Sequence, residues 1–157
     1  MQDYITTYTK KHFTIMEPKM ADIDINDIAH ALSLMTRANG HFSQFYSVGQ
    51  HSVGCAYEAL ERGYSARVVL GCLLHDGSEA YMADITRPLK QHMSAYLVAE
   101  EKLQNMIFEK FLGQCPSEEE MAQIKSVDDA MLFHEFKCFM NEELDIPEHE
   151  ILTRPAF

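Results

Sequence analysis

The sequence predicts an all-α domain of about six helices behind a short extended N-terminal arm. Three observations carry this. Apolar residues recur at three- and four-residue spacing from Ile25 onward. Helix punctuation accompanies them: Asp24, Ser47 and Ser117 stand where N-caps belong, and Gly40, Gly63 and Gly113 where helices should stop. Strand-like alternation is confined to Tyr4, Thr6 and Tyr8, inside the stretch Tyr4 to Met20, which reads as an extended arm or a small hairpin.

Taken in order, the first helix is expected from about Ile25 to Asn39, with Ile28, Ala31, Leu32 and Met35 on its apolar face. His30 lies beside that face and is assigned no role. The segment Arg37 to Gln50 mixes Gly, Asn, Ser and aromatics and reads as a loop. A second helix follows over about Val48 to Arg62, where His51, Cys55 and Ala59 share one face at four-residue spacing. The third, Ser65 to Leu74, is apolar on nearly every side and should be central. Thr86 to Lys90 starts a short helix with Pro88 in its first turn. A longer one runs from Ser94 to Leu112, its repeat traced by Leu97, Glu101, Gln104, Phe108 and Phe111. Ser117 and Glu120 form a capping box for the last helix, expected to reach Leu144, with Ile124, Val127, Met131, Leu132 and Phe136 as its buried stripe. The division is thus a single domain: arm 1–23, helical core 24–144 and tail 145–157.

A chain of 157 residues can bury a full core. No apolar run approaches the ~20 residues that cross a bilayer, and the start MQDYITTYTKKH has no signal-peptide pattern, so a cytoplasmic protein is expected. Cys55, Cys72, Cys115 and Cys138 are far apart and form no CxxC; they read as reduced, mostly buried thiols rather than a zinc-thiolate site. A net charge of -11 disfavours nucleic-acid polymers and anionic membranes as partners.

The stretch LGCLLHDGSEAYMADI, residues 70–85, stands apart from this pattern. An apolar run ends in His75-Asp76, and Glu79 and Asp84 follow with no basic residue between them. Buried acids without partners cost several kcal/mol each, so the run should be solvated or built around a cation. The apolar run Val68–Leu74 argues against simple solvation. Imidazole and carboxylate together suit a divalent ion such as Mn, Fe, Co, Ni or Zn. Further ligands would come from His51 and Asp128. Each has a plainer reading, as a core histidine bonded to a backbone carbonyl and as an acid reaching out from a helix edge.

The order His51, His75-Asp76, Asp128 resembles the metal-dependent phosphohydrolase superfamily named for its HD pair. YSVGQHS, LLHDGSEAYMADITRPLK and IKSVDDAML are similar to segments of its 5′-deoxynucleotidase branch, in which Glu and Asp follow the HD aspartate at the offsets of Glu79 and Asp84. The pattern DIAHALS…GH…YSV-x-QHS is especially similar to that of short phage- and prophage-borne members. The resemblance spans roughly Ile28 to Glu135. It implies an HD-type helical bundle holding one divalent ion (Mn, Co, Fe, Ni, Zn or Mg) on His51, His75, Asp76 and Asp128, with Asp129 as the alternative fourth ligand. It further implies Glu79 and Asp84 as catalytic residues, Arg37 as a contact for a substrate phosphate, a nucleotide as the small-molecule substrate, and a homodimer.

The expected activity is removal of the 5′-phosphate from (deoxy)nucleoside monophosphates. Hydrolysis of another phosphate ester, including an alarmone or pyrophosphate, is the alternative, as is a non-catalytic metal-binding regulatory module. Two departures bear on substrate. The branch places Trp after its phosphate-binding arginine, where this chain has Ala38 and no Trp anywhere. The alarmone-cleaving branch carries HDxxED, where this chain has HDGSEA. With a net charge of -11, a dianionic substrate must be held by local cations; Arg37 is the expected one, and Arg87 and Lys90 read as helix-surface charges.

Overall fold

A computed structural model describes residues 3–146 and 150–153. It has the expected all-α character. Its helices are α1 (Ile25–Leu34), α2 (Val48–Glu61), α3 (Ala66–Leu74), α4 (Glu79–Met82), α5 (Arg87–Lys90), α6 (Ser94–Leu112) and α7 (Glu118–Met140). The caps work as the sequence indicates. Asp24 accepts from the Asn26 amide, and Ser47 and Ser117 each close a full capping box, with Gln50 and Glu120. No helix among the described residues is long and apolar enough to cross a membrane. Of the tail, residues 147–149 and 154–157 lie outside the described residues.

The arm forms a hairpin of β1 (Ile5–Thr6) and β2 (His12–Phe13), paired antiparallel with Ile5 opposite Phe13. It is not peripheral. Phe13 is fully buried and stacks on Tyr81 at 4.0 Å between ring centroids, so the arm contributes to the core.

Two helix boundaries and two helix faces depart from expectation. α1 ends at Leu34 rather than Asn39, because Thr36 pairs with Ser47 in an isolated β-bridge and the Arg37 amide donates to Tyr46 at 2.9 Å. That closure turns residues 35–47 into a loop that returns the chain to the head of α2. α7 stops at Met140 rather than Leu144, with Asn141 in the left-handed conformation as its cap. α6 buries Ala99, Leu103, Ile107 and Phe108, so Leu97, Glu101 and Gln104 face elsewhere. Of the α7 stripe, Leu132 and Phe136 are only half-buried.

α3 is the central element, packed on α2, α6 and α7. Its approach to α7 depends on Gly71, where a Cβ would lie 2.6 Å from Ile124 Cδ1. One cluster beneath the helix ends joins Cys55, Val68, Cys72, Ile124, Val127 and Met131. Its position fixes the C-terminus of α3 against the middle of α2 and α7, and the candidate site lies at that junction. Cys55 and Cys72 are buried, but Cys115 is half-buried and Cys138 exposed, fewer buried thiols than expected; all four are free.

Candidate metal centre

α2, α3 and α7 each deliver part of the site. His51 lies in the first turn of α2 and is fully buried. His75 caps α3, with Asp76 next to it. Asp128 projects from the middle of α7. The His51 Nε2 atom is 3.3 Å from His75 Nε2 and 3.1 Å from Asp128 Oδ1. Asp76 completes the ring, its carboxylate 3.3 Å from His75 Nε2 and 3.8 Å from His51 Nε2. Two ligands held about 2.0–2.1 Å from one ion at a tetrahedral angle would be roughly 3.3 Å apart. The separations have that scale.

The outer nitrogens of both rings are engaged. His51 Nδ1–H donates to Glu135 Oε1 at 2.6 Å, and His75 Nδ1–H donates to the Cys72 carbonyl at 2.6 Å. Holding the proton on Nδ1 leaves each Nε2 with its lone pair facing the centre. Two such lone pairs and two carboxylates at contact distance repel one another unless a positive charge sits among them. The titration of the groups expresses the same demand. Burial opposes charge on both histidines, yet the surrounding acids outweigh it and push His75 up to about 10 and His51 well above its usual value. Burial raises Asp128, but His51 and His75 hold it far below the usual carboxylate range. The donor set could therefore hold a metal ion.

Cys55, one turn along α2 from His51, joins this group. His51, Cys55 and His75 lie within 4.8 Å of one another and could hold a metal ion. Its Sγ is 3.4 Å from His51 Nε2 and 4.0 Å from Nδ1. An atom on the Nε2 lone-pair axis would be farther from Nδ1 by nearly the width of the ring, so the thiol sits broadside to the imidazole.

Asp128 and Asp129 have different surroundings. Asp128 faces the histidines, whereas Asp129 accepts from Arg87 Nη1 at 2.9 Å and Lys125 Nζ at 2.6 Å. Arg87 also donates from Nη2 to Asp128 Oδ2 at 2.8 Å. It thus spans both acids and is more than a helix-surface charge. Lys90 is likewise drawn in, 2.7 Å from Glu100 and 3.6 Å from Glu79. Arg37, brought to the centre by the 35–47 loop, is 9% exposed; its Nε donates to Glu135 at 3.1 Å and its Nη1 to Asp76 at 3.4 Å.

Glu79 and Asp84 flank the centre. A cavity of about 370 Å³ opens beside His75 and Asp76, lined further by Ser78, Glu79, Lys90, Leu97, Glu100, Glu101 and Gln104. Burial, reinforced by Asp76 and Asp84, raises Glu79 to about 9, so its carboxyl is neutral at pH 7. Its Oε2 is buried with no hydrogen-bond partner among the described residues. Burial also raises Asp84. The residue before Asp84, Ala83, has φ 100° and ψ 153°, a region almost reserved for glycine. Its carbonyl accepts from Tyr96 Oη at 2.7 Å.

Glu135 is the residue that sequence reasoning missed. It is fully buried and joins His51 to Arg37. Its place seven residues after Asp128, two turns along one helix face, was the available signal.

No protein-family model matches the chain. It is 41% identical over 108 residues to the uncharacterized protein YfdR of Escherichia coli, covering 69% of this chain and 58% of that protein. It is 30% identical over 106 residues to an uncharacterized protein of Rhodobacter capsulatus, covering 64% and 54% respectively. The chain spans a little over half the length of these curated relatives.

Proposed function

We propose that the chain is a metal-dependent phosphohydrolase acting on small nucleotides, with (deoxy)nucleoside 5′-monophosphates as the substrate class. The observation that carries this reading is the pair of Nε2 atoms facing Asp76 and Asp128 while both Nδ1 protons are tied back. His51, His75, Asp76 and Asp128 would hold the ion. When bound, a divalent ion would supply positive charge against a phosphoryl group and acidify water.

The chain's own residues supply the rest. Glu79, neutral at pH 7 because of burial, can give a proton to a departing sugar oxygen. Asp84, whose proton affinity burial increases, can orient water and take its proton. Glu135 keeps His51 in one tautomer and orientation, and the Cys72 carbonyl does the same for His75. The cavity beside Glu79 offers Ser78, Gln104 and Glu101 to the polar, uncharged part of a substrate.

Phosphate release from a panel of nucleoside monophosphates, diphosphates and other phosphate esters, each with Mn, Co or Mg, tests the reading. Monophosphates should be cleaved, and Asp84→Asn should lower kcat by about 10²–10⁴-fold while keeping the ion. Metal analysis should find one ion per chain, lost in Asp128→Ala and retained in Asp129→Ala. No release from any ester by a fully loaded protein would refute the hydrolase reading.

A further inference from the structure

A chain of net charge -11 that takes an anionic ligand must present a cation locally. The charges around the centre locate it. Asp76 and Asp128 together balance one divalent ion. Arg37 is buried and paired with fully buried Glu135. Lys90 is paired with Glu100, and the cavity it enters also carries Glu101, which has no cation set against it there among the described residues. That side is acidic and repels an anion. On the other side, Arg87 and Lys125 both pair with Asp129, and the second partner of Arg87 is Asp128, whose charge the ion would already take up. The excess positive charge therefore lies there.

Geometry agrees with the count. The Arg87 side chain is 52% exposed, whereas that of Arg37 is 10% exposed. Arg87 Nη2 is 2.8 Å from Asp128 Oδ2, and the other oxygen of the same carboxylate is 3.1 Å from His51 Nε2. One carboxylate thus separates the guanidinium from the ligand centre, a span comparable to one phosphate group. An ion held by Asp128 would draw charge from that carboxylate and weaken its hold on Arg87, leaving the guanidinium fork available to an anion.

We infer that Arg87, backed by Lys125, is the anion-binding lip of this site, taking a phosphate or phosphate monoester beside the His51–His75–Asp128 cluster. This assigns the phosphate grip to the α5–α7 side rather than to Arg37. The ligand's anionic end then lies on that side, and its uncharged polar part faces Glu79 and Gln104. The inference rests on the proposed function for the class of ligand.

Titration calorimetry with inorganic phosphate on the Mn-loaded protein tests it, with metal content measured in each variant. Arg87→Gln should weaken phosphate binding about tenfold or more, and Arg87→Lys should restore part of the loss, since an ammonium keeps the charge but not the two-pronged geometry. Lys125→Gln, which does not touch Asp128, should weaken binding by a smaller factor, and Lys90→Gln should not weaken it. Phosphate binding as in the parent in both Arg87→Gln and Lys125→Gln overturns the inference, as does a Mn-loaded parent that binds no phosphate. If the parent takes up no Mn, the metal reading fails separately. The same titration on metal-free protein then decides the lip by whether phosphate binding depends on Arg87.

Discussion

Replacing Glu79 by Gln should change how stability depends on pH. Burial and the nearby Asp76 and Asp84 raise the native carboxyl to about 9, against 4.5 for an unperturbed glutamate. Between those values the native state holds a proton that the unfolded chain releases. Stability therefore falls as pH rises through this window and levels off above the native value. At pH 7 the penalty is 1.36 kcal/mol for each of the 2.5 pH units above 4.5, about 3 kcal/mol as an upper bound. A glutamine cannot titrate and does not incur it. Urea unfolding of parent and Glu79→Gln, both with chelator, should be compared at pH 5, 6, 7 and 8. Contributions common to both proteins, including those of His51 and His75, largely cancel in the difference. The advantage of the variant should widen toward pH 8 by up to about 4 kcal/mol. A difference that stays constant within about 0.5 kcal/mol across that range would refute the neutral-carboxyl argument.

Two other perturbations address the support of the site. Glu135→Gln should weaken Mn binding by about 10–100-fold, because His51 loses the carboxylate that orients it. It should also cost about 3–5 kcal/mol in urea unfolding, since Arg37 is left buried without its main counter-charge; unchanged Mn affinity by calorimetry would remove Glu135 from the centre. Ala83→Gly relieves a backbone conformation costing on the order of 1–3 kcal/mol, at an entropic cost of about 0.5–1 kcal/mol. A rise in Tm of about 2–4 °C is expected by calorimetric scanning, and a fall would show that no strain is stored there.

The sequence by itself determined the local structure. Caps at Asp24, Ser47 and Ser117, and the left-handed Gly113 that ends α6, act within one or two turns, so they can be read without knowing what packs where. The acidic run after His75 was legible for a similar reason: unpaired acids at the end of an apolar helix have few stable explanations. Faces and boundaries set by distant partners were not legible. Leu97 looked like a core residue of α6, but it is Leu103, Ile107 and Phe108 that join the core cluster with Phe13, Ile28 and Leu74. α1 stopped early because Thr36 finds Ser47 across a loop.

Partner choice among charged residues was decided wholly by tertiary structure. Asp128 and Asp129 are indistinguishable as a dipeptide; the rotation of α7 turns one toward the histidines and the other toward Arg87 and Lys125. Arg37 and Arg87 are likewise the same side chain in sequence. A fully buried Glu135 draws the first inward, while the second remains half in water at the rim. The physical reason is that a charge's role depends on which opposite charge it meets and how much water it keeps. Both depend on contacts between residues far apart in the chain.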